Sequence, residues 1–301
     1  MEKRKLKEFK FNQTSTTTNI VFNVILTVLA ISSVFPLIFV AAISITSELS
    51  IITKGYQIIP SEVSLEGYKF LWEMRGQILN SFAVSVFVTI VGSMLNVFIT
   101  TTYAYALSRP EFEYRKFYTI ILLITMLFTA GMVPSYLVMK SMLKLHDTVW
   151  SIILPLALAP FNVIIMRTFF RRSIPDSIIE SAKVDGAGDI RIFVKIVLPL
   201  AIPGIATITL FAVLGYWNDW FNAMLYIDKS HLMPLQYLLM QIQSTIEYFS
   251  QNSIPDTAFA TIPKEATQMA MVLISTIPIA STYPFFQKYF VGGLTVGGVK
   301  E

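Results

Sequence analysis

One short stretch of the chain, Tyr216-Trp217-Asn218-Asp219-Trp220-Phe221-Asn222, concentrates aromatic and hydrogen-bonding side chains within an otherwise apolar segment. Aromatic faces can stack on the C–H faces of sugar rings, and amide or carboxylate groups can hydrogen-bond sugar hydroxyls. Charged groups inside a membrane usually face a cavity, so Asp219 predicts a water-accessible path. The predicted path-lining residues are Tyr216, Trp217, Asn218, Asp219, Trp220 and Asn222. The alternative is a belt of Trp and Tyr at the lipid headgroups.

Other groups of reactive side chains do not support an enzyme. Gly186-Ala187-Gly188-Asp189 has the G-x-G-D order of intramembrane aspartyl proteases. Such an enzyme needs two carboxylates within its spans, whereas Asp189 lies in a charged loop. The sequence contains no cysteine and no G-x-x-x-x-G-K-[ST] phosphate loop, which excludes thiolate chemistry and nucleotide binding by that route. His146 and His231 lack an H-E-x-x-H frame, so no metal site is expected.

The composition is that of a membrane protein. Of the 301 residues, 54% are hydrophobic and 14% are charged, and the mean hydropathy is +0.62. Soluble proteins carry about 25% charged residues. The net charge of +4 arises from cations in the gaps between apolar segments, which indicates membrane orientation rather than binding to nucleic acid. The first apolar segment is longer than the core of a signal peptide and contains Pro36, so we expect an uncleaved span.

Six apolar segments are each long enough to cross a membrane, which takes about 20 residues. They lie at about residues 20–45, 80–107, 117–139, 150–169, 192–227 and 266–286. An even number of spans puts both termini on the same side. With the termini inside, sixteen of the 23 Lys and Arg residues are cytoplasmic, in agreement with the positive-inside rule. The sequence therefore predicts an all-α polytopic membrane protein with both termini cytoplasmic.

The cytoplasmic loop between the fourth and fifth segments has the pattern of a short amphipathic helix. Ser173 and Asp176 have the spacing of a capping box, and Pro175 suits the first turn. Gly186 is the predicted end of this helix. The predicted apolar stripe consists of Ile178, Ile179, Ala182 and Val184. A short helix held between two spans is suited to docking into a groove on another protein.

The same loop resembles the EAA loop of importer-type ABC transporter permeases, whose pattern is E-A-A, three residues, G, nine residues and I-x-L-P. Glu180-Ser181-Ala182 opens the pattern, Gly186 has the required spacing, and Ile196-Val197-Leu198-Pro199 closes it. Ser181 departs from the alanine of the pattern, but it is small enough to keep the helix close to a partner. The residues that the resemblance implies in ATPase coupling are Glu180, Ser181, Ala182, Asp185, Gly186, Leu198 and Pro199.

The likeness to the carbohydrate-importing branch of that family, which includes maltose-type systems and permeases for complex oligosaccharides, extends over nearly the whole chain. It includes Trp217-Asn218-Asp219-Trp220 and Met233-Pro234-Leu235-Gln236. The resemblance implies a type I importer transmembrane domain with six transmembrane helices and a cytoplasmic coupling helix. The predicted divisions are a cytoplasmic N-terminal tail at 1–18, a permease domain at 19–287 with its core from about 79, and a glycine-rich cytoplasmic tail at 288–301.

The resemblance also implies the partners and the location. The partners are a second permease subunit, two ABC ATPase subunits, an extracellular substrate-binding protein and a carbohydrate substrate. ATP and Mg would be bound by the ATPase subunits, and this chain would hold no cofactor and catalyse no reaction. The location would be the lipid bilayer of the bacterial cytoplasmic membrane.

An ion-coupled secondary transporter is the alternative function. Such a transporter needs buried ionisable residues, often with an inverted repeat, and neither is evident in the sequence. A purely structural scaffold would not need the loop that carries Glu180. Copurification of an ATPase would discriminate among these three classes of protein.

Overall fold

The structure, a computed structural model, describes residues 16–252 and 263–289, without the side chains of residues 250–252. The described chain is helical, and its β-structure is one isolated bridge between Thr46 and Val63. Its α-helices are α1 (Thr16–Ser44), α2 (Glu48–Lys54), α3 (Glu66–Glu73), α4 (Arg75–Ser108), α5 (Arg115–Leu127), α6 (Met132–Leu137), α7 (Trp150–Ile153), α8 (Pro160–Ser173), α9 (Asp176–Val184), α10 (Asp189–Ile192), α11 (Leu198–Leu200), α12 (Ile202–Trp217), α13 (Phe221–Tyr226), α14 (Leu235–Asn252) and α15 (Lys264–Ala280). The prediction of an all-α fold is confirmed. The tails predicted at 1–18 and 288–301 lie mostly outside the described residues, and the predicted divisions stay predictions.

Three of the six predicted segments form single apolar helices long enough to cross a membrane, and the other three form bent pairs of shorter helices. Three are single helices, namely α1, α4 and the segment Lys264–Tyr289. Three are pairs of helices, in which α5 pairs with Met132–Met142, Trp150–Leu156 pairs with α8, and Asp189–Leu200 pairs with α12. The described residues therefore hold six spans if each pair crosses the membrane once.

The three paired segments are bent, although the sequence predicts a single uninterrupted segment at each place. The bends are 112°, 48° and 80° in chain order. At the first bend the chain passes through Gly131, whose φ of +86° lies in the left-handed region that favours glycine. Hydropathy reports only how long an apolar segment is, so it does not detect a change of direction within one.

Two prolines account for the third bend. Pro203 has no N–H to bond the carbonyl of Pro199, and its ring would clash with that carbonyl in a continuous helix. The chain therefore turns at Ala201 before α12 begins. A short π-helix at Phe193–Val197 precedes Pro199. α12 then ends at Trp217, ten residues before the predicted end of this segment.

Two compact units make up the described chain. The smaller unit comprises residues 16–68 and 263–273, and the larger comprises residues 69–252 and 274–289. In the smaller unit, the Glu48 carboxylate accepts hydrogen bonds from the backbone N–H groups of Glu265 and Ala266. A carboxylate at this position stabilises the positive end of the dipole of α15. In the larger unit, α4, α8 and α12 enclose a core that contains Leu107, Met166, Phe170, Ile192 and Ile208.

Close packing between α4 and α12 depends on Gly92. A Cβ atom at this position would lie 2.5 Å from the ring of Tyr216, well inside van der Waals contact. The Tyr216 ring cannot retreat easily, because its hydroxyl donates a 2.8 Å hydrogen bond to the carbonyl of Ile153. Gly92 and this hydrogen bond together hold the last turn of α12 against α4 and α7.

We predict that Gly92→Ala destabilises the larger unit by about 1–3 kcal/mol, the usual cost of overpacking a well-packed core. The matched control is Gly76→Ala on the same helix, where nothing lies within 4 Å of the added Cβ. Alanine favours a helix over glycine, so the control should be neutral or stabilising. Thermal unfolding of both purified variants in detergent checks the difference, and equal unfolding temperatures would contradict the packing argument.

Candidate functional site

The start of α9, the helix that carries Glu180, differs from the sequence prediction. Ser173 is the last residue of α8, Pro175 is the N-cap residue of α9, and α9 has no side-chain capping bond. The predicted capping box is therefore wrong. The residue before a proline favours an extended backbone, and Ile174 accordingly has φ −120° and ψ 102°. α8 thus extends as far as Ser173, which removes that side chain from the capping position.

The end of α9 agrees with the prediction at Gly186. The N–H of Ala187 bonds the carbonyl of Ala182 at 2.9 Å, and the N–H of Gly186 bonds the carbonyl of Lys183 at 3.0 Å. These two bonds define a Schellman motif, which requires a left-handed residue just after the helix. Gly186 supplies it with φ +78°. The glycine of the predicted pattern is therefore needed for its backbone conformation, since the space around it is open.

The inner face of α9 is narrower than the predicted apolar stripe. Ile179 and Ala182 are buried and lie three residues apart on one side of the helix. Ile178 and Val184 are exposed, and Val184 has 88% of its surface accessible. The prediction of one four-residue stripe is wrong, because Val184 lies about 200° around the helix from Ala182. The inner face joins the core shared by α4, α8 and α10.

Two ion pairs hold α9 against the connector between α4 and α5. At the start of the helix, Arg109 Nη1 lies 3.3 Å from Asp176 Oδ1. At its end, Lys183 Nζ lies 3.0 Å from Glu111 Oε1. This hydrogen bond raises the pKa of Lys183, while a backbone hydrogen bond followed by the bond from Lys183 lowers the pKa of Glu111. Both side chains are therefore charged at neutral pH.

Sequence reasoning missed the two connector residues Arg109 and Glu111. The available signal was opposite charge, because both lie in a loop predicted on the same side of the membrane as α9. Arg109 is almost fully buried and its guanidinium stacks over the ring of Tyr105 at 5.3 Å. Because Arg109 is held in place by burial and by Tyr105, its ion pair with Asp176 positions the start of α9.

The outer face of α9 has no partner within the described chain. Glu180 is exposed and makes no hydrogen bond or ion pair with any described residue. The Ser181 hydroxyl donates its hydrogen bond to the backbone carbonyl of Ser177 and not to the Glu180 carboxylate. Asp185 is exposed as well. These side chains form a polar surface on a helix whose other face is fixed.

The last part of the predicted coupling pattern lies on the bent fifth span. Leu198 begins α11, and Pro199 is exposed beside it. Val197, immediately before them, is fully buried in the same core as Ile179 and Ala182. The structure therefore brings the two ends of the pattern to one core, although their exposed residues lie on different helices.

The aromatic and polar stretch at the end of α12 divides into two groups. Tyr216 and Trp217 are buried within the larger unit. Trp217 Nε1 donates a 3.0 Å hydrogen bond to the Ser275 carbonyl, and its ring packs edge-on against Phe82. Both aromatic residues thus satisfy their polar atoms inside the protein. Their contacts hold the end of α12 in place.

The remaining polar residues of this stretch lie in the turn after α12 and in α13. Asn218 and Trp220 are exposed, and Asp219 is partly exposed. The Asp219 carboxylate accepts hydrogen bonds from the backbone N–H and the side-chain amide of Asn222, at 3.1 and 2.9 Å. The stretch therefore lies at a break in the helix rather than within a continuous span. Its place on a substrate path stays a prediction.

Metal-binding groups do not come together in the part of the chain that the structure describes. No cluster of three or more His, Asp or Glu residues occurs there. His146 instead lies 3.8 Å from the Asp228 carboxylate, outside the apolar spans.

Bent apolar spans, together with a surface helix that packs into their core on one face and leaves the other face exposed, are features of a membrane transport subunit that works with another protein. The chain belongs to the family of binding-protein-dependent transport system inner membrane components, whose model matches residues 82–296. The prediction of an ABC importer permease is confirmed. Such a subunit moves a substrate through the membrane, and ATP hydrolysis is carried out by a separate subunit.

Individual relatives resemble most of the chain. The Polygalacturonan/rhamnogalacturonan transport system permease protein YtcP of Bacillus subtilis (strain 168) is 41% identical over 272 residues, which cover 90% of this chain and 94% of the relative. Protein LplC of the same organism is 39% identical over 269 residues, covering 89% and 90%. A crystal structure of a bacterial ABC transporter involved in the import of the acidic polysaccharide alginate matches with a TM-score of 0.76 and 31% identity, covering 93% of this chain and 99% of that chain.

We predict that Gly186→Ser destabilises the end of α9 by about 1–2 kcal/mol, the cost of a left-handed conformation for a residue with a Cβ. The matched control is Gly188→Ser, because Gly188 has φ −72° at the N-cap of α10, where serine is favoured. Gly186→Asn should be intermediate, since asparagine tolerates the left-handed region. Proteolysis within the loop at 184–190 measures the loosening. Equal protection of the two serine variants would contradict the role given to the left-handed turn.

Proposed function

We propose that the chain is one of two permease subunits of an ABC importer that moves carbohydrate, most simply an oligosaccharide. The observation that carries the proposal is the outer face of α9, where Glu180 pairs with none of the described residues while the inner face of the helix is packed into the core. The relatives support the substrate class. YtcP is named for polygalacturonan and rhamnogalacturonan, and the transporter in the matching crystal structure is involved in the import of alginate. The ion-coupled alternative has no support in the family.

The proposed coupling is mechanical. ATPase closure pushes on the outer face of α9, and Glu180 and Ser181 form part of the contact surface. Ile179 and Ala182 pack in one core with α8 and α10, so the push is transmitted to both neighbouring spans. Close-packed cores switch between discrete arrangements rather than deforming continuously. ATP binding thus biases the spans between an inward-open and an outward-open arrangement.

The proposed partners follow from this division of work. A second permease completes the path, two ATPase subunits bind ATP and Mg, and an extracellular binding protein delivers the substrate. The family description, which names transport that depends on a binding protein, supports the last of these. Both termini and α9 face the cytoplasm in this arrangement, in keeping with the excess of Lys and Arg at that side.

The proposed substrate path includes the turn that follows α12. Asn218, Asp219 and Asn222 supply hydrogen-bonding groups for sugar hydroxyls, and the exposed ring of Trp220 supplies a stacking surface. Tyr216 and Trp217 are buried, and in this proposal they contribute to the path by holding the turn in position. The internal hydrogen bonds of Asp219 keep its carboxylate oriented before a sugar arrives.

We predict that Glu180→Ala lowers substrate-stimulated ATP hydrolysis and uptake while the chain still inserts. The reason is the loss of the Glu180 carboxylate from the outer face of α9, where no described residue pairs with it. Removing a hydrogen bond to a charged group costs about 1.5–3 kcal/mol, a loss of about tenfold or more in coupling. Both activities are measured in vesicles that contain the subunits copurified with the tagged chain.

The matched control for this experiment is Glu73→Ala, which removes an exposed carboxylate from α3 outside the coupling loop. It should leave both activities unchanged. Normal coupling in Glu180→Ala would contradict the docking role of α9. Absence of an ATPase from the copurified material would contradict the proposed function itself.

We also predict that cysteines at Asn218 and Trp220 react with a water-soluble thiol reagent and that the carbohydrate slows the reaction. The natural chain contains no cysteine, so the signal on this chain comes from the introduced thiol alone. The control is Ala212→Cys, a buried position on α12 that should stay unlabelled. Labelling that the substrate does not affect would favour the headgroup belt over the substrate path.

A further inference from the structure

We propose that a basic pocket formed by the ends of α4, α5 and α8 binds the phosphate group of an anionic phospholipid. The pocket has a volume of about 360 Å³. Its cationic lining residues are Arg115, Lys116, Arg167 and Arg171. Neither the proposed coupling through α9 nor the proposed substrate path after α12 involves this pocket.

The four pocket cations have no counter-ion among the described residues. None of them lies within 4 Å of a carboxylate of the described residues, whereas Arg109 in the connector after α4 and Lys183 in α9 are both paired. Like charges gathered in one pocket repel each other, and an anion between them would remove that repulsion. The arrangement thus favours a bound ligand with negative charge.

Arg167 gives the most direct indication of a ligand. Its Nε atom is buried and has no hydrogen-bond partner among the described residues. A buried donor without an acceptor costs about 1–3 kcal/mol, so such groups are normally satisfied. The Arg167 side chain also lines the pocket, so a phosphate there would supply the negative charge that the described residues do not place beside this guanidinium. Guanidinium groups suit this role because their planar donors match the geometry of phosphate.

The start of α5 adds to the attraction for an anion. Arg115 and Lys116 are the first residues of this 13-residue helix, which has no acidic residue in its first turn and no side-chain cap at Tyr114. The free N–H groups of a first turn and the helix dipole both favour negative charge. An anion in the pocket therefore meets the positive end of α5 as well as the side-chain cations.

The surroundings of the pocket favour a lipid over free phosphate. Leu107 and Ile120 line the same pocket beside the cations. From there an exposed apolar stripe runs along α5 through Phe117, Ile120, Ile124 and Leu127, which share one helix face. A phosphate among the cations would thus continue into acyl chains along this stripe. Basic pockets between spans are known to bind anionic lipid headgroups.

The test uses the full-length chain purified with the subunits that accompany it, incubated with phosphatidylglycerol or with phosphatidylcholine. Native mass spectrometry counts the retained lipids. Wild type should retain phosphatidylglycerol in preference, and Arg167→Gln and Arg171→Gln should each weaken its retention about fivefold, which is about 1 kcal/mol. The matched control is Arg172→Gln, which removes the neighbouring cation from the same helix end but not from the pocket.

Each other outcome would overturn the proposal. Equal retention of the two lipids by wild type would show that the pocket does not select for negative charge. Unchanged retention in both pocket variants, or an equal loss in Arg172→Gln, would place the lipid elsewhere. Displacement of phosphatidylglycerol by inorganic phosphate alone would identify a free anion as the ligand. Because Arg171 is exposed, its variant keeps the test open even if Arg167→Gln does not fold.

Discussion

Burial of Ile179 and Ala182 fixes α9 to the ends of the neighbouring spans, and the rest of the candidate coupling site depends on that contact. Burying an isoleucine side chain contributes about 1.5–3 kcal/mol. The ion pair between Lys183 and Glu111 is exposed, and pairs of this kind contribute about 0.2–1 kcal/mol. The apolar contact therefore supplies most of the attachment, while the ion pairs at the two ends set the direction of the helix.

Features that depend on local chemistry could be predicted from the sequence. An apolar segment in a membrane must satisfy its backbone groups internally, which leaves a helix as the simplest solution for each segment of about 20 residues. The end of α9 at Gly186 was predictable for a similar reason, because a left-handed turn after a helix favours glycine. In both cases a few neighbouring residues decide the structure.

Features that depend on distant contacts could not be predicted in this way. The predicted capping box is wrong because Pro175 forces Ile174 into an extended conformation, so Ser173 ends α8 instead of capping α9. The pairing of Arg109 with Asp176 joins residues 67 positions apart. Similarly, the sequence shows that Tyr216 and Trp217 are aromatic, but their burial depends on Ile153 and Ser275, which lie on other segments.

The contrast between the two faces of α9 explains how a short helix can transmit force. A nine-residue helix is too short to be stable alone in water, so its order comes from its attachment to the core. An attachment on one face only would leave the helix free to rock about its axis. Arg109 and Glu111 prevent this, because they hold the first and last turns to a connector that is itself continuous with α4 and α5. In the proposed coupling, a partner that binds the Glu180 face would act through this contact on α8 and the bent fifth span, which continue from the ends of the same loop, and through the ion pairs on the connector to α4 and α5.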